Sequence, residues 1–210
     1  MPLTKKTTKK SASGPRATRP RMPKGYAVPK TERGMLPWTV TRKILEGARS
    51  YWLVTIDADG KPHLVGQWGA WIDERWYFEG GEDTKWARNV AREPRIAMGA
   101  ESGTTAVMIE GRAARVPSVD RPTAERITKQ YGAKYGRTYK YRPKPEQWDK
   151  GGYVLTPTKV LGVGCARVPA QRDALPLLGS WAAWERSDPR DFGIGDPNKV
   201  VRRDRKHRVG

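Results

Sequence analysis

The sequence predicts a mainly β protein, a six-stranded barrel or sandwich with two or three short helices, and three observations carry that prediction. Between Tyr51 and Val116, apolar runs rich in Val, Ile, Trp and Tyr alternate with turns containing Gly or Asp, and one helical pattern interrupts them. A further such run, Gly152–Gly164, is bent around Pro157. Helical patterns are few and short, which favours an all-β architecture over a parallel sheet with crossover helices.

In chain order, the first 33 residues hold ten Lys or Arg against one acid, Glu32, and little that is apolar. Such a segment cannot bury enough surface to offset the entropy of ordering it, so a basic disordered tail is expected over 1–33. Gly34-Met35-Leu36-Pro37-Trp38 leads into a short amphipathic helix. Val40, Ile44, Leu45 and Ala48 fall at helical spacing there, with Thr39 as the expected N-cap. Tyr51–Ile56 reads as the first strand, closed by the hairpin signal Asp57-Ala58-Asp59-Gly60. Pro62–Ile72 reads as a second, longer strand, and Asp73-Glu74-Arg75 turns the chain into Trp76-Tyr77-Phe78. Gly80 and Gly81 break the sheet before a helix over Asp83–Glu93, with Trp86, Val90 and Ala91 as its apolar stripe and Pro94 as its stop.

Arg95–Glu101 and Ala106–Val116 read as two strands joined by Ser102-Gly103-Thr104. A second helical region follows over Val119–Tyr135, capped by Ser118 or Asp120, with Ile127, Tyr131 and Tyr135 inward. Residues 136–150 are basic, aromatic and proline-containing and read as a surface loop. Past Cys165 the pattern fades, with Trp181 and Trp184 hinting at one packed element. Domain limits follow: tail 1–33, β-domain 34–164, and a partly ordered C-terminal extension 165–210 with a basic end.

The net charge of +19 is concentrated at the ends. Residues 1–33 carry +9 and 186–210 carry +4, whereas the long central part carries only +6. The tails are therefore candidates for sequence-blind, salt-sensitive contact with a polyanion or nucleic acid, and the domain between them is an ordinary one. A single cysteine excludes an internal disulfide and a multi-cysteine metal site, and two histidines, His63 and His207, give no basis for a histidine metal site or catalytic dyad. No apolar run approaches the roughly 20 residues that span a bilayer, and the basic N-terminus has no apolar segment of a secretory signal after it, so a cytoplasmic protein is expected.

Several segments, in order, resemble one family: Leu36-Pro37-Trp38, Tyr51-Trp52-Leu53, Asp59-Gly60-Lys61-Pro62-His63, Trp68-Gly69-Ala70-Trp71, Ala87-Arg88-Asn89-Val90-Ala91-Arg92-Glu93-Pro94-Arg95 and Glu110-Gly111. Together, over about residues 26–164, they resemble the pyridoxamine 5′-phosphate oxidase-like proteins, the FMN-binding split-barrel family. That resemblance implies a six-stranded Greek-key split β-barrel and a homodimer. It also implies a flavin, either FMN or the deazaflavin coenzyme F(420), in a groove shared by two subunits. The implied activity is hydride transfer to or from a small unsaturated substrate. No catalytic residue is assigned, because the cofactor carries the electrons and the protein supplies position and polarity. The C-terminal substrate-binding signature of the vitamin B6 oxidase has no match here, so that substrate is not implied.

The resemblance places cofactor-binding roles on two stretches. Thr84-Lys85-Trp86-Ala87-Arg88-Asn89 falls where relatives carry a phosphate-binding segment at a helix N-terminus, which suits unpaired N–H groups, a positive dipole end and adjacent cations. Trp86 departs from the pattern, since relatives commonly present a lysine there and an indole offers one uncharged donor. Val65-Gly66-Gln67-Trp68 falls on the strand whose backbone faces the flavin ring, and Gly66-Gln67 is a second departure. Gly66 permits either a closer backbone approach or a bulged strand, and both readings stay open. Trp52, Trp68, Trp71 and Trp76 read as core or dimer interface, and at most one of Trp68 and Trp71 lines the groove. Those departures motivate an alternative, a non-catalytic split barrel that binds a flavin, haem or tetrapyrrole.

Overall fold

A computed structural model of the chain describes residues 15–21, 23, 31, 32, 34–165 and 179–185. The chain folds as a curled antiparallel sheet with few helices, and the predicted mainly β split barrel is what forms. Helix α1 spans Trp38–Gly47. Strands β1 (Tyr51–Ile56) and β2 (Pro62–Gln67) form the expected hairpin, in which the Asp57 carboxylate accepts the Asp59 and Lys61 amides and Gly60 takes φ of 78°. Strands β3 (Ala70–Ile72) and β4 (Arg75–Phe78) turn tightly through Asp73 and Glu74, both at positive φ. Helix α2 (Lys85–Arg92) precedes the long hairpin β5 (Arg95–Ser102) and β6 (Thr105–Val116). Helix α3 (Arg121–Tyr135) and a 3-10 turn, Pro145–Lys150, lead into β7 (Gly152–Cys165), and β8 (Gly179–Glu185) pairs with β7.

The pairing order is β2-β1-β5-β6-β7-β4-β3. Its two end strands, β2 and β3, are joined in the chain by only Trp68 and Gly69. Two residues span at most about 10 Å, so the edges must lie close together and the sheet has to curl. Inside the curl sits a core that includes Leu53, Trp76, Phe78, Met98, Ile109 and Leu155. A second cluster beneath α3 contains Ala124, Ile127, Tyr131, Tyr135 and Trp148.

The described residues form eight strands where six were expected. One comes from the C-terminal region beyond Cys165, and the other from a break in the expected strand Pro62–Ile72. At Gly69 a Cβ would overlap the Trp76 indole nitrogen and lie 2.8 Å from the Tyr77 carbonyl. The Gly69 amide and carbonyl bond instead to side chains of α3. Gly66 pairs regularly with Trp52, so the bulge considered there does not occur. A bulge lies between Glu110 and Gly111, where Thr158 is the extra residue after Pro157.

Two further expectations are corrected. Pro37, not Thr39, occupies the N-cap of α1, because the helix starts one residue before Thr39, and Val40 is exposed while Thr41 is buried. The stretch 136–150 is not only surface: Trp148 is buried among Tyr77 and Tyr131. Asp120 caps α3 by accepting the Thr123 amide at 3.0 Å, which decides between the two candidate caps. Within the basic stretch 1–33, Ala17 packs against the barrel core and the Arg19 Nε donates to the Thr31 carbonyl. Residues 1–14 and 186–210, where much of the tail charge lies, fall outside the described residues. No helix among the described residues is long and apolar enough to cross a membrane.

Candidate functional site

The break between β2 and β3 opens a cleft of about 660 Å³. The end of β2 supplies Gly66 and Gln67, the break after it Trp68, and the link after β4 supplies Glu79, Gly80 and Glu82. Arg115 comes from the end of β6, Tyr141 from the stretch after α3, Lys150 and Gly151 from the end of the 3-10 turn, and Gly152 and Tyr153 from the start of β7. Glycines let these segments meet. Gly151 has φ of 84°, and a side chain there would collide with the Val116 carbonyl. At Gly80 a Cβ would lie 2.5 Å from the Trp86 ring.

Aromatic rings form one wall. The Trp68 indole stacks on Tyr135 at 4.5 Å and 10°, and Tyr139 and Tyr141 lie at 4.7 and 5.8 Å. The Tyr141 hydroxyl donates to the Glu79 carboxylate at 2.5 Å. Burial, reinforced by that bond and the Glu79 charge, pushes the Tyr141 phenol well above its usual range, so it stays a donor at neutral pH. The Gln67 side-chain amide donates to the Glu79 carbonyl at 2.7 Å, which fixes this residue across the cleft.

The opposite rim is charged. Arg115 pairs with Glu82 at 2.7 Å and donates to the Lys150 carbonyl at 3.2 Å. Lys150 itself is exposed beside them.

Sequence reasoning named nine cofactor-binding residues, and the structure divides them between two places. Gly66, Gln67 and Trp68 line the cleft, and Val65, half-buried, packs against the barrel core. The others lie on or beside α2. Thr84 is its N-cap and accepts the Ala87 amide at 3.3 Å. The first intrahelical bond runs from the Arg88 amide to the Thr84 carbonyl, so the Lys85 and Trp86 amides precede it. Lys85 pairs with Asp57 at 3.2 Å, and Arg88 donates to the Asp83 carbonyl. Hydrogen bonds from the Lys61 amide first, with further help from Lys85, hold the Asp57 carboxyl below its usual range.

Trp86 and Asn89 face inward. Trp86 is 5% exposed and packs against Phe78 and Tyr153, while Asn89 donates to the Thr55 hydroxyl at 2.9 Å. Lys85 meets the turn after β1, whereas Gln67 pairs with Tyr51 at the other end of that strand. Six strand residues of about 3.3 Å each separate the two ends, some 20 Å. The run 79–84 lies between them, and its Glu79, Gly80 and Glu82 line the cleft.

Arg115, Tyr141, Lys150 and Tyr153 were missed as site residues. They come from three stretches of sequence, Lys150 and Tyr153 sharing one, and the pairing of β6 with β7 and the packing of α3 bring these together.

A family model described as pyridoxamine 5′-phosphate oxidase matches residues 39–164, more than half of the chain. Among solved structures, one described as an F(420) reductase is 22% identical; the match covers 57% of this chain and 94% of that one, at a TM-score of 0.44. A conserved hypothetical protein from Mycobacterium tuberculosis is 22% identical over 77% of this chain and 91% of that one, at 0.47. A heme-binding protein from Mycobacterium smegmatis is 20% identical over 59% of this chain and 52% of that one, at 0.46. No curated protein matches the sequence.

Proposed function

The chain belongs to the pyridoxamine 5′-phosphate oxidase family, and from that premise we propose that its cleft holds a flavin-type cofactor, FMN or coenzyme F(420), for hydride exchange with a small unsaturated substrate. The observation that supports this reading is the meeting of one aromatic wall, Trp68 with Tyr141, and a rim that offers two cations, Arg115, paired with Glu82, and the exposed Lys150. That donor set fits a planar ring bearing anionic groups. When bound, such a cofactor supplies the two-electron chemistry. The protein's residues then orient and shield it. Trp68 would lie against the ring, Gln67 and Glu79 would brace the floor, and Arg115 and Lys150 would meet negative charge. Thr84, Lys85 and Arg88, at the far end of the 79–84 link, would hold a phosphate at the N-terminus of α2 if Lys85 exchanged Asp57 for it. Trp86 and Asn89 support that end from inside.

We propose a second copy of the chain as the partner. Cross-strand register puts Gly66, Trp52, Gly99, Met108 and Leu161 in one row on the outer face of the sheet. Trp52 is 51% exposed between two glycines, and the adjacent Leu64 is 59% exposed. An apolar face of that kind favours a homodimer packed sheet to sheet. The polyanion reading concerns tails that are largely outside the described residues, and a cytoplasmic setting remains the expectation.

The non-catalytic reading draws on the burial of Trp86 and the pairing of Lys85 with Asp57, which leave the α2 end without an uncommitted lysine. For its haem form the cleft lining offers only the phenols Tyr141 and Tyr153 as axial ligands, and burial with the bond to Glu79 disfavours ionising Tyr141. The test is turnover. Protein loaded with reduced cofactor is mixed with a panel of small enones and quinones, and cofactor oxidation is followed by absorbance. Acceleration by a substrate supports the oxidoreductase, whereas tight binding with no acceleration across the panel supports the carrier.

A further inference from the structure

Lys134 is 6% exposed, and its three hydrogen-bond partners are all neutral oxygens. Its Nζ donates to the Ala48 carbonyl at 3.0 Å, the Gly69 carbonyl at 2.8 Å and the Tyr51 hydroxyl at 2.8 Å. That hydroxyl donates onward to the Leu45 carbonyl, so its oxygen is free to accept. Three acceptors match the three N–H bonds of an ammonium, and a neutral amine has only two. The same nitrogen also lies over the Tyr51 and Tyr135 rings at 5.0 and 5.9 Å, which again favours the cation.

The acceptors belong to three separate parts of the fold: the end of α1, the start of β1 and the break between β2 and β3. The last of these leads to the cleft. The Gly69 amide donates to the Tyr135 hydroxyl at 3.1 Å, that hydroxyl contacts the Gly69 carbonyl at 3.3 Å, and the Tyr135 ring carries the Trp68 indole. Lys134 thus holds, from below, the one residue between Trp68 and β3.

We propose that Lys134 is a positioning residue for the cleft, and that loss of its proton releases the Gly69 clasp, shifts the Trp68 ring and weakens the hold on an aromatic ligand. The ligand half of this inference rests on the cleft reading above; the conformational half does not. Burial pushes the Lys134 ammonium down to about 7, opposed by the charge of Glu46. The titratable groups around it are Glu46 from α1, Tyr51 from β1, and Tyr131 and Tyr135 from α3. Burial raises all three phenols, Tyr135 to about 12, so none ionises where Lys134 does. Gly69 contributes only backbone. The clasp is therefore closed on the acid side of neutrality and open on the alkaline side.

The test uses the full chain without ligand. The Trp68 indole N–H resonance, assigned by its loss in Trp68→Phe, is followed from about pH 6 to about pH 9, the range that contains the lowered lysine. It should move with a single midpoint near 7, keep that titration in a variant with both His63 and His207 replaced by Gln, and stay still in Lys134→Arg, which remains charged throughout. A static resonance in the native chain, or a titration that survives Lys134→Arg, overturns the proposal. If Lys134→Arg does not fold, lysine labelled at Cε in the native chain decides. One lysine sharing the Trp68 midpoint supports the proposal, and the absence of any lysine titrating in that range defeats it. The ligand arm is FMN affinity, expected to fall several-fold from the acid to the alkaline end. If the chain binds no FMN while Trp68 still titrates, the cleft reading fails and the clasp stands.

Discussion

The Trp68 indole rests on the Tyr135 ring at 4.5 Å and 10°, and the Tyr135 hydroxyl is tied to the backbone of Gly69, the residue next to Trp68. One side of the cleft is thus fixed by a ring from α3 rather than by the sheet. Replacing Trp68 by Ala should leave the circular dichroism of the fold unchanged. It should weaken FMN or F(420) binding by roughly 0.5–1.5 kcal/mol, the worth of one aromatic stack, as read by titration calorimetry. Tyr135→Leu should act in the same direction through Trp68.

Gly69 and Gly66 make a matched pair. Ala at 69 would drive a Cβ into the Trp76 indole and the Tyr77 carbonyl, and a loss of about 1–3 kcal/mol in urea unfolding is expected. Ala at 66 has only the Ser50 Oγ nearby, at 3.6 Å, so stability should change by less than about 0.5 kcal/mol. Any fall in cofactor affinity in Gly66→Ala then reports approach of the ligand to that strand.

The sign of the pH dependence follows from Lys134. Its folded value of about 7 lies below the usual lysine value, so between the two the unfolded chain binds more protons. Stability attributable to this residue is lowest below neutrality and rises as pH increases toward the unfolded value. Relative to Lys134→Met, the native chain should gain roughly 2 kcal/mol between about pH 7 and about pH 9, read from urea midpoints. A difference that stays constant over that range contradicts the lowered value.

For the outer sheet face, Trp52→Asp combined with Leu64→Asp places two charges on the apolar row. Sedimentation should give a dimer for the native chain and a monomer of unchanged secondary structure for the variant. A native chain that sediments as a monomer at every concentration removes the dimer from this account.

The fold was legible because its strands follow local rules. Tyr51–Ile56 and its Asp57–Gly60 turn, the Asp73-Glu74 turn and the Pro94 stop after α2 all announce themselves within a few residues. The break at Trp68-Gly69 was not legible, because its cause is the Trp76 indole and a lysine and tyrosine from α3, 65 and 66 residues away. Helical periodicity put Tyr131 and Tyr135 on the buried face, but the same pattern gave no reason to count Lys134 there. Its burial depends on three oxygens from three other elements. The candidate site divides in the same way. Gly66, Gln67 and Trp68 could be named from one stretch, whereas Arg115, Tyr141 and Lys150 reach the cleft only through the β6–β7 pairing and the packing after α3.

The most direct measurement is titration of the purified full chain with FMN and, separately, with F(420), repeated on Arg115→Ala and Lys150→Ala. This account predicts saturable binding of at least one cofactor by the native chain. It also predicts that each substitution weakens that binding by about 1–3 kcal/mol, as expected for a charge-assisted contact. Failure of the native chain to bind either cofactor, or binding that neither substitution disturbs, would contradict the placement of the cofactor in this cleft.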